Sequence, residues 1–239
     1  MKTYGLIGKN IAYSFSRNYF KTKFDKENIS YTQYINFDID TIEKVNDLFK
    51  QNHKGYNVTI PYKESVIPYL TSLDVDAENI GAVNVIKIKD NQFIGYNTDY
   101  IGFKNSIQPL LKPYHEKALV FGTGGASKAI LYALDQLSIS YVIISRNHPT
   151  NNYQSLTQER LDTHKILINC TPVGTFPDVS NALEIPYEFV TDQHLAYDLI
   201  YNPEETQFLK NCKKQGATTK NGLEMLLIQA ENAWEIWNN

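Results

Sequence analysis

The residues of this chain that could do chemistry collect where apolar runs end. In "GYNVTIPYKESV", Asn57 and Thr59 alternate along an extended run, and Lys63 follows two residues after Pro61. Side chains two apart on a strand share a face. A core on that face would bury both polar groups, so a polar cleft is the less costly setting for them. Pro61 suits the first turn of a helix, which would place Lys63 at the positive end of a helix dipole. That end and partial burial favour the neutral amine, whereas a nearby carboxylate favours the ammonium. A lysine so placed can exchange a proton with a substrate, although a lone lysine is most often a solvated surface group. The company of Lys63 argues for chemistry. "YSFSRN" offers Ser14 and Ser16, whose hydroxyls an extended backbone would aim to one side, as two donors for a carboxylate. A serine there, Ser16 for instance, can equally cap the helix that follows. "GAVNVI" sets Asn84 in a strand, and "GYNTDYIGF" sets Asp99 at a strand-to-helix junction, where it also suits an N-cap.

A second constellation is "VFGTGGAS", which follows an apolar run and opens a segment of helical period. In a strand–turn–helix–strand unit, Gly122 permits the tight turn and Gly124 lets the backbone approach a pyrophosphate. The helix start adds free N–H groups and partial positive charge. The alternative is that the glycines only allow close helix–strand packing. An NAD site places Asp or Glu about 20 residues past the glycines. Here stand Ser145, Arg146 and Asn147, with no carboxylate. A guanidinium suits a 2′-phosphate, which favours NADP over NAD unless Arg146 is simply a solvated cation.

The elements that must position these residues alternate. Strand-like runs ("TYGLIG", "YTQYINF", "AVNVIKI") are interleaved with helical patterns ("SRNYFKTKFDKEN", "TIEKVNDLFK", "DYIGFKNSIQPLL"). From Lys117 come the glycine-turn unit, "KILIN", "LAYDLI", the helix "PEETQFLKNCKKQG" with glycine past its end, and the long amphipathic "NGLEMLLIQAENAWEIW". Such alternation predicts an α/β protein with mostly parallel sheets. The most polar stretch, 147–160, is the least committed to any element. A net charge of −3 without a basic arm argues against nucleic acid as partner. The apolar runs are too short to span a membrane, and the N-terminus lacks a signal-peptide pattern. Cys170 and Cys212 make no disulfide framework, and no HExxH or CxxC announces a metal site. The expectation is a cytoplasmic protein acting on a small molecule.

In their order, "SFS", "NVTIPYK", "GAVN", "NTD", "GTGGAS", "SRN", "NCTPVG", "YDLIYNPEET" and "NGLEMLLIQ" resemble the shikimate dehydrogenase family over nearly the whole chain. The resemblance implies an α/β substrate domain, residues 1–98 with the C-terminal helix 222–239 returning to it, and an NADP-binding Rossmann domain, residues 99–221. It implies reversible hydride transfer between NADP and shikimate or 3-dehydroshikimate, a step of aromatic amino acid (chorismate) biosynthesis. Carried over position by position, Ser14, Ser16, Thr59, Lys63, Asn84, Asp99, Tyr201 and Gln229 would contact substrate, with Asn57 supporting them. Lys63 and Asp99 would be the catalytic acid/base pair. Gly122, Thr123, Gly124, Gly125, Ala126, Ser127, Ser145, Arg146, Asn147, Thr171, Pro172, Leu199 and Gly222 would hold NADP. The sequence departs from the family pattern where Ser-Arg-Asn replaces the usual Asn-Arg-Thr. The further basic residue is missing from "HPTNN", and the region after Asn147 is trimmed, so NADP preference could be weaker than usual. Two alternatives stay open: a quinate/shikimate dehydrogenase using NAD, against which Arg146 speaks, and a non-catalytic NADP-binding regulatory protein, against which Lys63 with Asp99 speaks. Either a monomer or a homodimer would serve this chemistry.

Overall fold

The computed structural model describes residues 1–12 and 14–239. They divide into two compact units, Met1–Thr98 with Gln229–Asn239, and Asp99–Ile228. The return to the first unit begins at Gln229, part-way along the last helix, where the sequence reading put it at 222.

The first unit contains β1 (Lys2–Gly8), α1 (Phe15–Lys26), β2 (Thr32–Asp38), α2 (Val45–Phe49), β3 (Gly55–Val58), β4 (Ser72–Leu73), α3 (Val75–Ile80), β5 (Val85–Lys89) and β6 (Gln92–Tyr96). Its sheet has the order β2-β1-β3-β5-β6-β4. β1 runs parallel to β2 and β3, but β5 runs antiparallel to both β3 and β6. The sheet is thus mostly parallel, as alternation predicts, with β5 alone running against its neighbours. The turn from β5 into β6 is local: Asp90 and Asn91 join them at φ 50° and 59°, the two left-handed residues of a tight hairpin turn. The chain leaves β1 toward β2 on one side and returns to β3 on the other. Open α/β sheets bind ligands outside strand ends at such a reversal, and "NVTIPYK" begins there. One face of the sheet buries Ile7, Val45, Tyr56, Val58, Val66 and Ile86. The other face buries Tyr4, Leu6, Phe20, Phe24, Tyr34 and Val85, together with Ala230, Ala233 and Trp237 from α8 (Leu223–Asn238). The Trp237 indole donates to the Ile86 carbonyl at 3.1 Å, so even the polar edge of this large side chain is satisfied.

The second unit contains α4 (Asp99–Ile107), β7 (Lys117–Phe121), α5 (Gly125–Gln136), β8 (Ser140–Ile144), α6 (Gln158–Thr163), β9 (Ile166–Asn169), β10 (Leu195–Asp198), α7 (Gln207–Lys214), β11 (Thr218–Lys220) and the first turns of α8. Its sheet has the order β11-β10-β9-β7-β8 with every pair parallel. Helices cover both faces, which is why β9 and β10 read as unbroken apolar runs and are buried at every residue. α5 turns Ala129, Ile130, Ala133 and Leu134 to the core. α7 is capped by Thr206, whose hydroxyl accepts the Leu209 N–H at 3.3 Å. Among the described residues no helix is long and apolar enough to cross a membrane.

Candidate active site

In the first unit three of the flagged polar residues, Asn57, Asn84 and Gln229, join with Thr98 in one buried chain. Asn57, Asn84, Thr98 and Gln229 are 4%, 3%, 0% and 6% exposed. The Tyr34 phenol donates to Asn57 Oδ1 at 2.7 Å, and Asn57 Nδ2 donates to the Asn84 carbonyl at 3.2 Å. Asn84 Nδ2 donates to Thr98 Oγ1 at 3.0 Å and to Gln229 Oε1 at 3.3 Å, while its Oδ1 accepts the Thr98 N–H at 2.7 Å. Thr98 Oγ1 donates to the Gln229 carbonyl at 3.1 Å. An unsatisfied group at such depth would cost about 1–3 kcal/mol, so the chain specifies both the identity and the orientation of each amide. Asn57 spends its side chain inward on these bonds. Thr59 lies one residue past β3 and is half-buried.

Lys63 does not sit in a helix, and Pro61 starts none. After β3 the chain makes turns and then a single short 3₁₀ turn, Ile67–Tyr69. The Lys63 carbonyl, which a helix would pair with the Ile67 N–H, instead accepts the Val83 N–H at 2.8 Å, and the Ile67 N–H turns to Glu64. Tyr62 is drawn into the core, its phenol donating to the Ile39 carbonyl at 2.8 Å. The helix-dipole effect expected on Lys63 thus has no source. What places this half-buried lysine is the tether to Val83, the residue before Asn84. The serines also differ from expectation. α1 starts at Phe15, so Ser16 is helical and does not alternate with Ser14 on an extended backbone. Ser14 takes the capping role, its hydroxyl accepting the Arg17 N–H at 3.3 Å. Burial pushes the pKa of the Tyr34 phenol up, with Ser16 opposing.

In the second unit the chain runs from β7 to β8 and returns to β9 on the other side, which puts the glycine turn at the reversal point. Gly122 has φ +108°, and a Cβ there would lie 3.0 Å from Thr171 Cγ2 and 3.2 Å from the Cys170 carbonyl carbon. Gly124, the N-cap of α5, would meet nothing within 4 Å. The protein's own packing does not require that glycine. The open space there, next to the N–H groups of Gly125 and Ala126, fits a dinucleotide phosphate approaching the backbone. Thr123 is exposed beside it. Ser127 is buried and donates to the Gly124 carbonyl at 2.6 Å, which holds the turn.

Past β8, the Ser145 N–H donates to the Asn151 carbonyl at 3.0 Å, and Arg146 and Asn147 are exposed. The polar stretch that follows is built, not loose. Arg160 donates to Asn151 Oδ1 at 2.7 Å and to Ser155 Oγ at 3.0 Å, and His148 Nδ1 accepts the Asn151 N–H at 2.9 Å. Past β9, buried Asn169 accepts from the Thr171 N–H and hydroxyl at 2.9 and 2.7 Å and donates to Asp198 Oδ1 at 3.0 Å. Asp198 also accepts from the Ile200 N–H at 3.0 Å and the Thr206 hydroxyl at 2.6 Å. Burial pushes its pKa up to about 6, with these donors opposing. Pro172 is exposed, and Tyr201 is 36% exposed. The Leu199 N–H donates to the Asn169 carbonyl, and a Cβ on Gly222 would fall 2.1 Å from the Leu199 carbonyl oxygen.

Four residues of these networks escaped the sequence reading. Thr98 directly precedes the flagged Asp99 in "NTD". Asn169 and Asp198 are lone polar residues closing apolar runs, where burial demands partners. Tyr34 carries no such signal, because tyrosine is ordinary in a strand.

A glycine turn at the reversal of a parallel sheet in one unit, and strand ends carrying lysine, hydroxyl and amide groups in the other, define a two-unit protein of the dinucleotide-binding oxidoreductase class. Comparison with known proteins narrows the class. The family model for the shikimate dehydrogenase substrate binding domain matches residues 6–86. A shikimate dehydrogenase (NADP(+)) of Clostridium botulinum is 37% identical, over 99% of this chain and 96% of its own. The solved shikimate dehydrogenase from Aquifex aeolicus gives a TM-score of 0.88 at 32% identity, covering 100% of this chain and 92% of that one. A shikimate 5-dehydrogenase from Thermus thermophilus, solved in complex with NADP(H) and shikimate, gives 0.86 at 26%, covering 99% and 93%. This chain belongs to the shikimate dehydrogenase family.

Proposed function

We propose that the protein is an NADP-dependent shikimate dehydrogenase of aromatic amino acid biosynthesis, reversibly reducing the ketone of 3-dehydroshikimate to the C3 alcohol of shikimate. The observation that carries this reading is the tether of Lys63 to Val83, beside the Asn57–Asn84–Thr98–Gln229 chain. NADP(H), when bound, supplies or removes the hydride. Reduction builds negative charge on the ketone oxygen. The Lys63 ammonium stabilises that charge and gives up the proton, and the reverse reaction returns it. Asp99, the first residue of α4, is the carboxylate of this acid/base pair. Ser14, Ser16, Thr59, Asn84, Tyr201 and Gln229 supply hydroxyl and amide groups matched to a substrate with one carboxylate and three hydroxyls. In this reading the turn Gly122–Ser127 with Ser145, Arg146, Asn147, Thr171, Pro172, Leu199 and Gly222 holds the dinucleotide, and exposed Arg146 favours its 2′-phosphate. A cytoplasmic location belongs to the same reading.

The test is NADPH absorbance with shikimate and NADP, repeated with NAD and with quinate. Shikimate with NADP is expected to give the highest kcat/KM. A protein that binds NADP yet forms no shikimate-dependent NADPH would overturn the enzyme reading. Higher rates with quinate and NAD would replace it with the quinate/shikimate alternative.

A further inference from the structure

Tyr34 is 6% exposed on β2, and its ring stacks on Phe20 with centroids 4.6 Å apart and planes 19° from parallel. The ring has no freedom to swing, so its hydroxyl is delivered to one place. There it donates to Asn57 Oδ1 at 2.7 Å, and among the described residues it is the donor to that oxygen. Tyr34 comes from β2, Asn57 from β3 and Asn84 from the lead into β5, so the phenol brings a group of one strand to bear on a polar chain built on others.

We infer that Tyr34 is a positioning residue for substrate recognition: its hydroxyl holds Asn57 Oδ1 and so fixes the orientation of the Asn57–Asn84–Gln229 chain before substrate binds. The inference rests on the proposed reading of the site. It extends that reading to a residue that meets no substrate atom itself. Its effect is on the orientation of groups that bind, so it falls on substrate affinity more than on turnover.

Tyr34→Phe keeps the stacked ring and removes only the hydroxyl. The KM for shikimate should rise roughly fivefold, the effect of losing one ordering hydrogen bond. The KM for NADP and kcat should each stay within about twofold. Asn57→Ala and the double variant complete a cycle, in which the double should raise the shikimate KM by clearly less than the product of the singles. Phe20→Leu loosens the stack that holds the same ring and should raise the shikimate KM in the same direction by a smaller factor. An unchanged shikimate KM in Tyr34→Phe, an equal loss for both substrates, or fully multiplicative effects in the cycle would each refute the positioning role. A wild-type enzyme inactive on shikimate would remove the reading of the site and this inference with it. An active wild type beside an unaltered Tyr34→Phe would remove the inference alone.

Discussion

The two units place ligand-binding groups at the same kind of location, the reversal point of an α/β sheet, but use different materials. In the first unit the site is made of side chains: Asn57, Asn84, Thr98 and Gln229 are locked by bonds to one another, and Lys63 is aimed through its own carbonyl. In the second it is made of backbone: the course of the chain through Gly122 and Gly124, the start of α5, and the close passage of Gly222 under Leu199. A site of side chains fails when a functional group is lost. A site of backbone fails when a Cβ is gained.

The largest effect is expected on the side-chain site. Lys63→Ala should lower kcat by about 10²–10⁴-fold with little change in the KM for shikimate. Turnover near wild type in a steady-state assay would remove Lys63 from the chemistry. The backbone site is tested by a matched pair. Gly122→Val meets a left-handed φ and a crowded Cβ site, and should cost about 1–3 kcal/mol of stability together with NADP binding. Gly124→Ala, facing open space, should keep its melting temperature yet weaken NADP binding in a fluorescence titration. A Gly124→Ala variant with normal affinity would mean that nothing approaches that backbone.

Thr98→Val should take away an acceptor for Asn84 and a donor to Gln229 at nearly constant shape, costing about 1–3 kcal/mol. The shikimate KM should rise while NADP affinity holds, and losses in both would blur the contrast between the units. Arg146→Ala should weaken NADP roughly tenfold, the order expected for a charged hydrogen bond, and leave NAD nearly unchanged. Equal losses would mean that Arg146 does not read the 2′-phosphate.

The smallest effect concerns pH. His115, His164 and His194, all in the second unit, have pKa values lowered chiefly by burial. Their stability contribution is present above the ordinary value near 6.5 and is lost as pH falls through the lowered folded values. Asp198, raised to about 6, works in the opposite direction as it takes up its proton. The first unit holds one histidine lowered in the same way, His53, against three in the second, so acid should loosen the second unit first. Both tryptophans, Trp234 and Trp237, lie in the first unit. Below about pH 6 the circular-dichroism melt should therefore shift down before the tryptophan-fluorescence melt, whereas coincident shifts would show that the units lose stability together.

Patterns governed by period and composition were legible in the sequence. The all-parallel second sheet follows from its unbroken apolar strands, and the glycine turn follows from Gly122 at a strand end. The one reversed strand of the first sheet, β5, was not legible from alternation, because its hairpin with β6 is made by two residues, Asp90 and Asn91, in left-handed conformation. The course at Lys63 was hidden for another reason. Pro61 is compatible with a helix start, and only the distant Val83 N–H, by taking the Lys63 carbonyl, decides against it. Ser16 read as a strand hydroxyl because its type does not show that α1 begins one residue before it. Where a residue's role depends on a partner far along the chain, its type alone was insufficient.

Helix α8 belongs to both units, with Leu223–Ile228 in one and Gln229 onward in the other. During synthesis residues 1–98 emerge before the second unit, but their core lacks Ala230, Ala233 and Trp237, and Asn84 lacks Gln229, until residues 229–239 are made. Domains ordinarily complete in the order in which they are translated. Here the second unit, encoded in one continuous stretch from Asp99 to Ile228, has all its residues while the first still waits for the second part of α8. A premature stop just before Gln229 would therefore injure the first unit, and of the two units the one begun first is the one finished last.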